Sequence, residues 1–154
     1  KVVKENLLSK KDLFIFTILE SVNDLDIGKK ILKVDNEFIF EDERDREKYK
    51  ENGGNFWIAL DNKKEVIGTI GLENISNGVG MLKTMYVHKE YRGYKVAQKL
   101  MEDLTNFAVN NNFKKIQLGT YKKLERAVGF YKKNDFYLSK EDCDVLIFEK
   151  ILSN

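Results

Sequence analysis

Residues 81–108 read MLKTMYVHKEYRGYKVAQKLMEDLTNFA, and the change of period inside this stretch decides the fold. Up to Val87 apolar residues alternate loosely, which is the period of a strand. His88 to Tyr91 is a polar turn. From Val96 the period lengthens: Val96, Ala97, Leu100, Met101, Leu104, Phe107 and Ala108 fall on one face of a helix, and Lys99, Glu102, Asp103 and Asn106 take the other. Between strand and helix lie Arg92, Gly93, Tyr94 and Lys95. A strand feeding a helix through a basic, glycine-containing turn is a ready anion site. The first N–H groups of a helix have no internal partner, and its dipole favours negative charge there. The pattern predicts that this turn holds a pyrophosphate and that the rest of the chain builds an enzyme around it.

Upstream, Phe56 to Leu60 and Val66 to Leu72 are apolar runs of strand length separated by the hairpin-type turn Asp61-Asn62-Lys63-Lys64. Ser76-Asn77-Gly78 turns the chain into a third strand, Val79 to Val87. Gly68, Gly71 and Gly80 fall inside these strands, where glycine marks a bulge or the close approach of another group. Downstream, Asn110-Asn111-Asn112 ends the long helix, since asparagine tolerates the left-handed conformation. Lys115 to Thr120 is a fourth strand. Lys122 to Lys133 is a second helix, with Leu124, Ala127, Val128 and Tyr131 on one stripe, and Asn134-Asp135 stops it. Phe136 to Leu138 and Val145 to Leu152 close the chain as strands. The crossover from the third strand through the long helix to Lys115 is a βαβ unit, so those two strands should lie parallel. The expected fold class is therefore α/β: a mixed, mostly antiparallel sheet with one parallel βαβ pair and helices on both faces.

The first 55 residues carry weaker signals. Residues 1–8 are a basic-apolar lead. Ser9 with Asp12 resembles a capping pair and predicts a helix through KKDLFIFTILESV, residues 10–22. Asp24 to Leu32 reads as a second short helix, weakened by Gly28, and Phe38 to Phe40 is a short apolar run. Glu41 to Lys50, EDERDREKYK, reads as a solvated helix laced with pairs such as Asp42–Arg46 and stopped by Asn52-Gly53-Gly54. No linker, repeat or low-complexity tract divides the chain, so one domain over residues 1–154 is expected, with residues 1–55 a helical region and 56–150 the core.

Composition bounds the function. The chain has 154 residues, 42% of them hydrophobic and 34% charged, enough to bury one core. A net charge of +2 argues against non-specific nucleic-acid binding, and against a third reading, a nucleic-acid or protein-interaction domain using the basic positions Lys122, Lys123, Lys132 and Lys133. The one cysteine, Cys143, excludes an internal disulfide framework and suits a reducing compartment; its neighbours Glu141, Asp142 and Asp144 disfavour a thiolate nucleophile. No apolar run approaches the roughly 18 residues of a membrane span, and no signal-peptide pattern is visible. A cytoplasmic protein without nucleic-acid or membrane partners is expected. His88, the one histidine, has no cluster of metal-ligand spacing around it, so no metal is expected.

At Tyr86 to Leu100, YVHKEYRGYKVAQKL, the chain resembles the GCN5-related N-acetyltransferase (GNAT) superfamily. The family's signature at the start of this helix is Arg or Gln, two residues, Gly, one residue, then Gly or Ala. Arg92 and Ala97 match it, and Lys95 stands where the family usually has its glycine. A second resemblance lies at Ala127 to Phe136, AVGFYKKNDF, which looks like the family's tyrosine-bearing helix followed by Gly-Phe. Ala127, Phe130, Tyr131 and Phe136 fit, Asp135 replaces the glycine, and Leu124 stands where the family often has asparagine. The two motifs and the strand order cover roughly residues 56–150.

The resemblance implies acetyl-coenzyme A as cofactor and a primary amine, on a small molecule or a peptide, as acceptor. It implies a pyrophosphate cradle of backbone N–H groups from Arg92, Gly93, Tyr94, Lys95, Val96 and Ala97. It places the backbone of Met85 and Val87 along the pantetheine arm, with an N–H near Tyr86 or Val87 where an oxyanion would form. Tyr131 becomes the general acid for the departing sulfur. Many members carry a glutamate on the third strand as base; Lys83 holds that position here, and Glu73 on the preceding strand is the nearest acidic candidate, with water alone as the alternative. The acceptor pocket would be shaped by residues 1–55. Direct attack in a ternary complex is the reaction implied. The departures at Lys95, Leu124 and Asp135 keep a non-catalytic acyl-CoA-binding module of the same fold as the second reading, and a homodimer is left open.

Overall fold

The computed structural model describes Phe14, residues 16–20, Tyr49 and residues 51–152. The helices expected over Asp24–Leu32 and most of Glu41–Lys50, and the run Phe38–Phe40, lie outside these residues. Among the described residues seven strands form one sheet. They are β1 (Thr17–Glu20), β2 (Asn55–Leu60), β3 (Val66–Ser76), β4 (Val79–Val87), β5 (Lys115–Tyr121), β6 (Tyr137–Asp142) and β7 (Val145–Ile151). Their spatial order is β1-β2-β3-β4-β5-β7-β6. Every neighbouring pair is antiparallel except β4–β5. That pair is joined by α1 (Val96–Asn110), the crossover expected from the change of period. A second helix, α2 (Glu125–Lys133), joins β5 to β6.

β1 corrects one expectation. Residues 17–20 belong to no helix: they extend the sheet, with Thr17 opposite Leu60 and Glu20 opposite Trp57. Phe, Ile and Thr are strand formers, and a short apolar run carries no periodicity that separates strand from buried helix. The free edge of β2 decides the matter. α2 starts at Glu125 rather than Lys122 because the Lys122 N–H donates to Asp144 O, 2.7 Å, extending β5 to Tyr121. β6 starts at Tyr137 rather than Phe136, whose N–H turns back to Tyr131 O, 3.1 Å, to close the helix end. Asn112 takes the left-handed conformation after α1, φ 63°, as the asparagine run predicted.

The register assigns side chains to faces, because directly opposed residues share a face and successive residues alternate. A Cβ on Gly68 would lie 3.2 Å from Leu100 Cδ1 and 3.3 Å from Val96 Cγ1, so Gly68, Ile70 and Leu72 face α1. Gly80, Ile116, Leu118 and Phe148 share that face through their pairings. Val96, Leu100, Met101, Leu104 and Ala108 of α1 pack there, as does Tyr131 of α2. On the other face, a Cβ on Gly71 would lie 2.7 Å from the Tyr49 ring, and that ring sits 5.4 Å from the ring of Phe56. The large core thus lies under α1 and α2, and helical Tyr49 covers the opposite face.

Candidate functional site

β4 and β5 pair only over Val79–Met81 and Lys115–Gln117, then part. Beyond that point each strand turns a backbone edge toward the gap. On its other side β4 carries a bulge. Thr69 opposes Tyr86 and Gly71 opposes Lys83, so Ile70 on β3 spans two residues, Thr84 and Met85, on β4. Thr84 has φ 56°, a left-handed backbone that a β-branched residue adopts only when its surroundings impose it. Two contacts do so: Thr69 Oγ1 donates to Thr84 O at 2.7 Å, and Thr84 Oγ1 lies 3.2 Å from Tyr49 OH. The missing Cβ of Gly71 makes room for the Tyr49 ring. Past the bulge, the His88 N–H donates to Ile67 O on β3 at 2.8 Å. Backbone groups alternate along a strand, so those of Val87 turn toward the gap. Val87 O accepts from Arg92 Nε at 3.2 Å.

The turn after β4 is ordered by its own contacts. A short 3-10 helix covers Lys89–Tyr91, and His88 Nδ1 accepts from the Glu90 N–H at 3.3 Å. Tyr91 OH donates to Asp61 Oδ2 at 3.2 Å, and burial followed by that carboxylate raises its phenol above the ordinary value. The N–H groups of Arg92 and Tyr94 donate back to Lys89 O and Tyr91 O. Gly93 has φ 88°, and Lys95, the N-cap of α1, has φ 66°. Lys95 therefore adopts the backbone for which glycine was expected. A left-handed residue followed by a helical one turns successive N–H groups toward a common point, an anion-binding nest. No side chain caps the helix and no acidic residue occupies its first turn, so the positive end of the dipole is unopposed. The first intrahelical bond runs from Lys99 N to Lys95 O at 3.0 Å, which leaves the N–H groups of Val96, Ala97 and Gln98 ahead of it. Gly93, Tyr94 and Lys95 open onto a cleft of about 790 Å³ shared with Phe14, Phe16 and Ile18. This cleft meets the turn but not Tyr131 or the gap.

Tyr131 is 7% exposed, on α2, beyond the gap on the α1 side. Its ring lies 5.9 Å from Phe136 and 6.5 Å from Phe148. Burial pushes its phenol up to about 12, so it holds its proton throughout the neutral range. Gln98 Nε2 donates to Asn134 Oδ1 at 3.0 Å, which fixes the start of α1 to the end of α2. Asp135, the second residue standing where glycine was expected, also has φ 67°. Leu124 is the N-cap of α2 and makes no side-chain cap. Glu73 lies across the sheet from Tyr131, on the Tyr49 face, with its Oε2 2.5 Å from Lys83 Nζ. The structure thus brings Met85, Tyr86, Val87 and residues 92–97 together around one gap and places Tyr131 and Glu73 on its two sides.

Sequence reasoning missed Tyr49, Thr69 and Thr84. Gly71 was their one trace, marking a close approach without naming what approached. Among the described residues no group of three or more His, Cys, Asp or Glu could hold a metal, and no helix is long and apolar enough to cross a membrane.

Known proteins share this fold. A GNAT-family acetyltransferase from Staphylococcus aureus Mu50 is 29% identical over 90% of this chain and 100% of its own, with a TM-score of 0.74. An acetyltransferase from Streptococcus agalactiae 2603 is 26% identical, with 89% and 98% covered and a TM-score of 0.70. The PaiA N-acetyltransferase from Thermoplasma acidophilum, solved in complex with coenzyme A, shares the fold at 19% identity, with 90% and 99% covered and a TM-score of 0.70. Among curated proteins none matches at a significant level. The family model for the acetyltransferase (GNAT) family matches residues 25–136, well over half of the chain, and the chain belongs to that family.

Proposed function

We propose that the chain is an acetyl-CoA-dependent N-acetyltransferase acting on a primary amine by direct attack in a ternary complex. One observation carries this: the sheet splits after Met81, and the open edge of β4 leads straight to an uncapped helix start with converging N–H groups. The residues present fit the coenzyme. Gly93 and Lys95 leave the cradle open, the first turn of α1 carries no acid, and Lys95 adds positive charge. The N–H groups of Lys95, Val96 and Ala97 would hold the pyrophosphate, and the backbone of Met85 and Val87 the pantetheine arm.

When bound, acetyl-CoA supplies the acetyl group as a thioester, whose carbonyl carbon a neutral amine attacks as the C–S bond breaks. An alkyl ammonium has a pKa of about 10 and must first lose a proton. Glu73, acting through water, is the base that takes it. The N–H of Val87, turned toward the gap, would donate to the thioester oxygen. Tyr131 keeps its proton until sulfur departs and then gives it up, since a thiolate with a pKa of about 8.5 leaves more readily once protonated. The proton lost by nitrogen as the amide forms returns to the Tyr131 oxygen, so the net reaction releases one proton.

Calorimetric titration with acetyl-CoA tests the reading, and absence of binding at sub-millimolar ligand refutes it. Tyr131→Phe should lower kcat by about a hundredfold or more with nearly unchanged coenzyme affinity. Unchanged turnover in that variant removes Tyr131 from the mechanism.

A further inference from the structure

A row of side chains crosses the sheet on the face away from α1. The register runs Glu73 on β3, Met81 on β4, Gln117 on β5, Glu149 on β7 and Tyr137 on β6, each directly opposite the next. Lys83 and Lys115 reach into it from adjacent positions. Met81 and Gln117 are the last pair before β4 and β5 part, so the row lies at the closed end of the gap. With strands about 4.8 Å apart, the backbones of Glu73 and Glu149 are on the order of 14 Å apart.

The two ends of the row differ. Glu149 accepts from Gln117 Nε2 at 2.7 Å, Tyr137 OH at 3.0 Å and Lys115 Nζ at 3.4 Å, and its side chain is 15% exposed. The Gln117 bond is the main cause holding its carboxyl below the ordinary range. That end is locked. Glu73 and Lys83 form a pair whose side chains are 30% and 49% exposed, so it can open to a ligand. The row as a whole is neutral, two carboxylates against two ammonium groups.

We propose that the Glu73–Lys83 pair reads the acceptor, and that the acceptor is a zwitterion, an amino acid or short peptide whose ammonium group meets Glu73 and whose carboxylate meets Lys83. This rests on the function proposed above, which brings an acceptor to this end of the gap. The exchange is balanced: each side chain trades one opposite charge for another, and none is left unpaired as water is displaced. A polyamine fits badly. It would bring several positive charges beside Lys83 and Lys115 while Glu149 is already held by three donors, and like charges brought together discriminate against a ligand. A monoamine lacking a carboxylate would, as its ammonium ion, displace Lys83 from Glu73 and leave the lysine without a partner.

Two titrations separate the inference from its foundation. Acetyl-CoA is first titrated into the protein, and failure there removes the proposed function itself. The protein is then saturated with coenzyme A, which supports no transfer, and titrated with alanine, alanyl-alanine, the C-terminal amides of both, and spermidine. At least one free acid should bind about tenfold more tightly than its amide and more tightly than spermidine. Lys83→Gln should abolish the preference while keeping coenzyme affinity and the circular dichroism spectrum. Equal binding of acid and amide, tighter binding of spermidine, no binding of any probe to the coenzyme-saturated protein, or a preference that survives Lys83→Gln overturns the assignment.

Discussion

Replacing Lys95 with glycine should make the protein more stable. Lys95 caps α1 with φ 66° and ψ 12°, a left-handed backbone, and it does so without a side-chain cap bond. Holding an L residue there costs about 1–2 kcal/mol, because Cβ crowds the carbonyl that follows. Glycine removes that crowding but gains freedom in the unfolded chain, which returns roughly 0.5–1 kcal/mol of the benefit. The net gain is about 0.5–1 kcal/mol, or about 1–4 °C in Tm for a domain of this size. Urea unfolding should show a higher midpoint at unchanged slope. Lys95→Ala is the control: it keeps Cβ and its crowding, so its midpoint should match or fall below that of the parent. The charge is read separately. Lys95 is exposed, so losing its ammonium should weaken coenzyme binding only a fewfold, equally in both variants, and less at high salt. Glycine should therefore raise stability while lowering affinity, and alanine should lower affinity alone. Identical midpoints for the glycine and alanine variants would refute the strain argument.

Burial holds the Tyr131 phenol at about 12, above the ordinary 10. Its contribution to stability is complete below pH 10 and is lost as pH rises through about 12, on the order of 2–3 kcal/mol. Tyr131→Phe should flatten that alkaline loss in unfolding measured between pH 9 and 11. Leu124 is an exposed N-cap without a cap bond, so Leu124→Asp should stabilise by about 1 kcal/mol, read as a Tm rise of about 2–4 °C; no rise would mean that α2 starts elsewhere. Gly71→Ala would set a Cβ 2.7 Å from the Tyr49 ring and 2.9 Å from Phe56, and should cost about 1–3 kcal/mol in chemical denaturation. Because the ring it displaces holds Thr84, the same variant should also weaken coenzyme binding.

What the sequence revealed follows how local each signal is. α1 was legible because its period spans fifteen residues, and five of the seven apolar positions assigned to its inner face are buried. The parallel pair followed from the helix between its strands. β1 was misread because four residues hold too little pattern to tell strand from helix, and the partner that decides it, β2, lies about forty residues away. Tyr49 and Thr84 stand 35 residues apart, and a hydroxyl pair across that distance leaves no periodicity. Thr84 was harder still, since nothing in its side chain suggests a left-handed backbone.

Lys95, Asp135 and Thr84, with φ of 66°, 67° and 56°, are three of the described non-glycine residues with a left-handed backbone. At Lys95 and Asp135 the family pattern has glycine, and the backbone keeps glycine's conformation after the residue has changed. Local preference is not the reason at Lys95, and at Asp135 it permits the conformation without requiring it. Tertiary contacts must impose it. Near Lys95, the Cβ-free surface of Gly68 seats Val96 and Leu100, and Gln98 is fastened to Asn134. Around Asp135, Asn134 Nδ2 returns to Phe130 O and the Phe136 N–H to Tyr131 O. At Thr84, Thr69 and Tyr49 clamp the bulge. Strain held by packing at Lys95 and Thr84, on either side of the turn into α1, suits a site whose backbone donors must stay in place. On this view a glycine missing from a motif says little about whether a cradle survives. The contacts that hold the helix ends decide it, and those contacts are present here.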